Sequence, residues 1–146
     1  MAERKPKDPF HGFRFKVEMG GVFKAAFREL SGIDFEQTPT EYRAGEDPLY
    51  VRKLPGLNKY SNITLKRGIT DDKDIWDWRK KCIDGKVDRQ DGSIVILDDA
   101  EDKELARWEF HQGWPTKLTI SGFNATSNDV VVEELSIAHE WIERTK

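Results

Sequence analysis

From Phe13 the chain alternates. Phe13, Phe15, Val17 and Met19 are apolar, and Arg14, Lys16 and Glu18 between them are charged. A period of two is the pattern of a strand with one buried face. Gly20-Gly21 follows as a hairpin signal, and the return strand is expected from Val22 to Leu30, ended by Ser31-Gly32. Ile33, Phe35 and Gln37 open a third strand. The stretch from Thr38 to Pro48 is polar and rich in turn formers, and Leu49 to Leu54 returns as a strand stopped by Pro55-Gly56. Those two strands form a hairpin whose outer half has little to bury within the chain, a shape suited to reaching a neighbour. Asn62 to Arg67 reads as a further short strand, with Ile63 and Leu65 inward.

The period then changes. Ile75, Trp78, Cys82 and Ile83 fall on one stripe of a helix expected over residues 71–83, with Thr70 as its N-cap. Asp71, Asp72 and Asp74 sit at its positive end, Lys80 and Lys81 at its negative end, and Gly85 is placed to cap it. Beyond it the pattern returns to strands. They are expected at Ser93 to Leu97, at Leu105 to Gln112, at Trp114 to Ser121, and over a long last stretch from Val130 to Ile142. On that stretch Leu135, Ile137, His139 and Trp141 share one face. Strands at this spacing without helices between them predict a mainly β fold, an antiparallel sandwich or partial barrel with one flanking α-helix. Residues 1–9, charged and carrying Pro6 and Pro9, are expected to be a flexible N-terminal arm, and 10–146 a single β domain. The long last strand and the hairpin leave sheet edges that another copy of the chain could pair with.

Composition narrows the function. The 146 residues are 37% hydrophobic and 35% charged, and no apolar run approaches the ~20 residues that span a bilayer, so no membrane insertion by the chain itself is expected. The first ten residues lack the apolar core of a secretory signal, and the single cysteine, Cys82, allows no intrachain disulfide; both point to synthesis and assembly in the cytoplasm. With 27 acids against 24 bases, well mixed, no basic stripe for nucleic acid stands out.

Catalytic patterns are thin. His11, His111 and His139 are scattered and form no HxxxH or HExxH pair, so no metal site is predicted. Cys82 reads as a core thiol on the helix's apolar face. The acidic run Asp98–Glu104 lacks the glycine of a calcium loop and reads as a solvated turn. No phosphate-binding glycine loop and no GxSxG elbow is present, so no catalytic residue and no cofactor is expected. Trp76, Trp78, Trp108, Trp114 and Trp141 read as core and interface residues. A second reading has them line the cup of a small ligand-binding β-barrel, and a third is an enzyme with an unrecognised site.

The eighteen residues from Val51 to Gly68, VRKLPGLNKYSNITLKRG, are more specific. They resemble the signature of the phage tail tube family, the inner tube proteins of contractile phage tails and extracellular contractile injection systems. The opening DPFHGFRFKVE from Asp8 to Glu18, the helix segment Trp76–Arg79 and the ending EELSIAHE from Glu133 to Glu140 resemble the same family, in the same order. The resemblance implies two roughly orthogonal antiparallel sheets with one helix, similar to the type VI secretion tube protein. It implies that six copies close into a ring with a β-barrel inner wall, and that rings stack into a hollow tube. The implied partners are further copies of the chain, a contractile sheath, baseplate or spike and terminal cap proteins at the ends, and a protein or DNA cargo in the lumen. The implied setting is a virion tail or an extracellular particle. On this reading the arm from Gln37 to Leu57 packs on the next subunit or ring, with Lys53, Leu54, Pro55, Gly56, Leu57 and Tyr60 as the expected interface. The polar face of the last strand, Glu134, Ser136, Ala138 and Glu140, is expected to line the channel, as are Arg14, Lys16 and Glu18 of the first.

Overall fold

A computed structural model describes residues 9–10, 14–20, 23–25, 27–46, 48–98, 103–126 and 128–146, with the backbone alone for 23–25. In chain order the elements are β1 (Phe15–Met19), β2 (Phe23–Ala25), β3 (Glu29–Ser31), β4 (Phe35–Tyr42), β5 (Arg52–Tyr60) and β6 (Ile63–Gly68). Helix α1 (Asp74–Ile83) follows, then β7 (Gln90–Leu97), β8 (Glu104–Ile120), β9 (Val132–Ala138) and β10 (Trp141–Arg144). All pairings are antiparallel. One hydrogen-bonded path runs β2-β1-β7-β8-β9-β6-β3, with β10 also on β8, and β4 and β5 form a separate ribbon. The mainly β fold with one short helix is the one expected. Of the flexible arm expected over residues 1–9, all but Pro9 lies outside the described residues, as does Phe13.

The path folds into two sheets because β8 belongs to both. Its first half pairs with β7 and β10, its second half with β9. Two strands had been expected here, divided near Gln112, but the chain turns that corner without leaving the ladder. Between the pairs Gly92↔Phe110 and Gln90↔Gly113, β8 advances three residues while β7 advances two. Gln112 takes a φ of 58°, and its N–H is held by Asp91 Oδ1 at 3.1 Å. A bulge of this kind lets one strand pass between sheets. Gly113 beside it is tightly packed: a Cβ would lie 3.0 Å from the Phe110 ring and 3.2 Å from the Gln90 carbonyl, so a side chain there would need its neighbours to give by a few tenths of an ångström.

The core lies between the two sheets. Val17, Met19, Ile94, Phe110 and Ile142 come from one, Ile63, Leu65, Leu135 and Ile137 from the other, and Ile75 and Trp78 from α1. The strip expected between Val22 and Leu30 breaks into β2 and β3, where the chain crosses from the first sheet to the second.

The last strand also differs from expectation. It bends at His139-Glu140, and the face that meets the core shifts by one residue, so Ile142 is buried and Trp141 exposed. The helix starts at Asp74, three residues late, with no side-chain cap on its first turn. Thr70 and Asp72 instead hold the N–H groups of Asp72 and Asp74 in local turns, at 3.3 and 3.1 Å, which competes with helix. Of the predicted stripe only Ile75 and Trp78 are buried; Cys82 is half-buried and Ile83 exposed. Gly85 does cap the end, at a φ of 84°.

Candidate assembly surfaces

The ribbon of β4 and β5 is the largest departure from a closed fold. Every residue of β4 is exposed, as is all of β5 save Gly56 and Tyr60. The strands are longer than the sequence pattern indicated, because β5 runs through Pro55-Gly56 instead of stopping there. A two-stranded ribbon has an open edge on each strand, where a proline costs no ladder bond. Pro39 and Pro55 face each other across this one.

The bulge that follows sets the chemistry of the ribbon. Gln37 pairs with Asn58 and Pro39 with Pro55, so β5 carries one extra residue there. A Cβ on Gly56 would sit 2.2 Å from the Thr38 carbonyl, which is why glycine occupies the bulge. Gln37 Nε2 donates to the Gly56 carbonyl at 2.8 Å and closes the gap. The extra residue shifts the alternation, so that Leu54 and Leu57, three apart in sequence, share one face. Leu57 is 91% exposed and Leu54 46%. Leu49, Tyr50 and Val51, expected as the first residues of the returning strand, lie before β5 and are exposed at the tip.

The base of the ribbon is anchored. Tyr60 packs on the core, 6.0 Å from the Phe35 ring and 5.9 Å from His139. The Ser61 N–H donates to the Asp34 carbonyl at 2.9 Å, and the Ser61 carbonyl lies 2.9 Å from His139 Nε2. Burial lowers the pKa of His139 below its ordinary value, against a smaller opposite effect of backbone hydrogen bonds to Ser61 and Trp141. Of the six expected interface residues, Lys53, Leu54, Pro55 and Leu57 therefore stand on the exposed ribbon, Gly56 makes its bulge, and Tyr60 is its root.

The second surface is the outer face of the sheet β3-β6-β9-β8. Ladder register brings Glu134 beside Lys66 and Thr119, and Ser136 beside Thr64 and Lys117. Glu29 lies 3.8 Å from Lys66 on the edge strand. Glu134, Ser136 and Ala138 share this face, half-buried. Glu140 does not join them: it lies exposed at the bend, 3.5 Å from Arg89. On the other sheet Lys16 and Glu18 pair at 3.4 Å, and Arg14 donates to the Asp98 carbonyl at 3.2 Å. The partners on β6 and β8 escaped the sequence reading because alternation assigns a face to one strand and says nothing about its neighbours.

The tryptophans do not converge. Trp78 is buried under the helix, Trp76 faces outward, Trp108 packs toward the core and Trp141 lies on the opposite face of its sheet. The cup of a ligand-binding barrel is thereby set aside. Of the acidic run, residues 99–102 lie outside the described residues, as does His11.

Comparison with known proteins agrees with this geometry. The model of the family "T4-like virus tail tube protein gp19" matches residues 11–143. A chain of the sheath–tube complex of an extracellular contractile injection system, PVC, in its extended state is 30% identical, with a TM-score of 0.86 over 96% of this chain and 93% of that one. A chain of the anti-feeding prophage cap, the AFP tube terminating cap, is 27% identical, with a TM-score of 0.86 over 99% of this chain and 96% of that one. Hcp1 from Flavobacterium johnsoniae shares the fold, at 14% identity and a TM-score of 0.61 over 90% of this chain and 94% of that one. No curated protein matches significantly in sequence. The mainly β domain with its exposed two-stranded ribbon agrees with the fold of these tube proteins. The chain belongs to the T4-like tail tube protein family, whose members build the tubes of contractile particles.

Proposed function

We propose that this chain is the subunit of the inner tube of a contractile injection system or contractile phage tail. Six copies close into a ring, and rings stack into a hollow tube. A sheath surrounds that tube, baseplate or spike and cap proteins close its ends, and sheath contraction drives it through a target envelope with its cargo. The role is structural, not catalytic, and it is performed in a virion tail or a released particle. The observation that carries this is the β4–β5 ribbon, which holds Leu57 91% exposed and Leu54 46% exposed on one face. Apolar side chains held out on a ribbon match a partner surface in a neighbouring copy. Lys53, Leu54, Pro55, Gly56, Leu57 and Tyr60 form that contact, and Glu134, Ser136 and Ala138 face the channel. The relatives from sheath–tube and tube-terminating assemblies support both the sheath and the end partners.

Native mass spectrometry and negative-stain microscopy of concentrated protein test the reading. A six-fold species and rings or tubes are expected. A chain that stays monomeric, alone and with baseplate components, overturns it.

A further inference from the structure

On the outer face of the other sheet, β8 and β10 bring together three side chains that no helical motif would have revealed. Glu109 and His111 are two apart on β8 and share a face. Register places Glu143 of β10 directly opposite Glu109, and Trp141 opposite His111. One ligand atom from each of Glu109, His111 and Glu143 falls within 4.8 Å of the others. We propose that these three residues bind one divalent transition-metal ion of the zinc class, with Asp91 orienting the imidazole. All the proposed ligands come from one chain, and the proposal does not rest on the tube reading.

Five observations carry it. Two carboxylates directly opposite on neighbouring strands repel each other, and a dication between them turns that repulsion into attraction. Arg107 Nε donates to Glu109 Oε1 at 3.1 Å, a bond that a carboxylate can keep while its second oxygen ligates an ion. His111 Nε2 is shut off from solvent, has no hydrogen-bond partner among the described residues, and lies 3.5 Å from Glu143 Oε1. That separation fits the edge of a tetrahedral site, about 3.4 Å for metal–ligand bonds of about 2.1 Å. The other ring nitrogen, Nδ1, lies 3.4 Å from Asp91 Oδ2, the carboxylate–histidine arrangement that sets the tautomer leaving Nε2 to bind metal. Trp141 lies flat on the imidazole, with ring centroids 3.8 Å apart and planes at 19°, and restricts its rotation. One imidazole with two carboxylates suits zinc or cobalt better than magnesium or calcium, which prefer all-oxygen sites.

The test is a competition titration of zinc chloride against a chelating indicator, on the full chain in a Cys82→Ser background to remove the thiol. One ion per chain is expected, and magnesium should not compete. His111→Asn and Glu143→Gln should each weaken binding at least tenfold, and Asp91→Asn by about 10- to 100-fold. Cobalt chloride should give visible absorption bands that His111→Asn abolishes. Circular dichroism and metal-free melting of each variant establish that the fold is kept. Zinc binding that is absent, matched by magnesium, or unchanged in His111→Asn overturns the proposal and leaves His111 as an ordinary ion-pair partner of Asp91 and Glu143.

Discussion

Arg67 is one guanidinium serving two carboxylates. Its Nε donates to Glu133 and its Nη2 to Asp74, both at 2.5 Å, while its Cζ lies 5.6 Å from the centroid of the Phe27 ring. Burial opposes its charge, but the hydrogen bonds and charges of Asp74 and Glu133 outweigh that, and its pKa is raised above the ordinary value. The side chain thus fastens β6 to β9 and to the first turn of α1 at one point. Removing it leaves two acids facing each other in a low-dielectric site. Arg67→Met should lower the unfolding free energy by roughly 3–5 kcal/mol, as losing one member of a buried ion pair does. Adding Glu133→Leu should recover part of that loss, because one stranded charge goes with it. Urea denaturation of the two variants measures both effects, and a loss under about 1 kcal/mol for Arg67→Met would mean that the three groups act as a surface pair.

Among the elements, the ribbon is where local structure and function meet. Its bulge at Gly56 puts Leu54 and Leu57 on one face, so charges at the two positions would alter one and the same surface. Leu54→Asp with Leu57→Asp should leave the β circular-dichroism signal intact and abolish tubes under the microscope. Unfolded or aggregated double mutant would instead assign these leucines to the core of their own chain. Much of the element layout was legible in the sequence, because a half-buried strand must alternate: β1, β6 and β9 carry their buried residues where the pattern put them. What failed was whatever a partner strand decides. Gln112-Gly113 reads as a break, yet β7 and β9 hold β8 together through it. Pro55-Gly56 reads as a stop, yet an open-edged ribbon accepts both residues. His139-Glu140 reads as two more steps of one strand, yet the bend there hands the core position from Trp141 to Ile142. The Glu109–His111–Glu143 cluster is of the same kind, since half of it is a cross-strand neighbour.

At the scale of the whole molecule, the proposal gives the channel to one sheet face. The outer face of β3-β6-β9-β8 carries Glu29, Thr64, Lys66, Lys117, Thr119, Glu134 and Ser136, with charges of both signs beside each other. A lining of that kind gives a passing cargo no large apolar patch to adhere to and no field of one sign to hold it. Cysteines introduced at Ser136 and Ala138, in a Cys82→Ser background, should react in assembled tubes with small thiol reagents that enter the bore and resist bulky ones. A cysteine at Glu18, on the face of the other sheet, is the comparison. A cysteine at Glu140 measures how far the bend carries that residue from the row of Glu134, Ser136 and Ala138. Reaction of the Ser136 and Ala138 positions with both reagents alike would put this face on the outside of the tube. Protection at Glu18 in the same experiment would then give the channel to the sheet that carries His111.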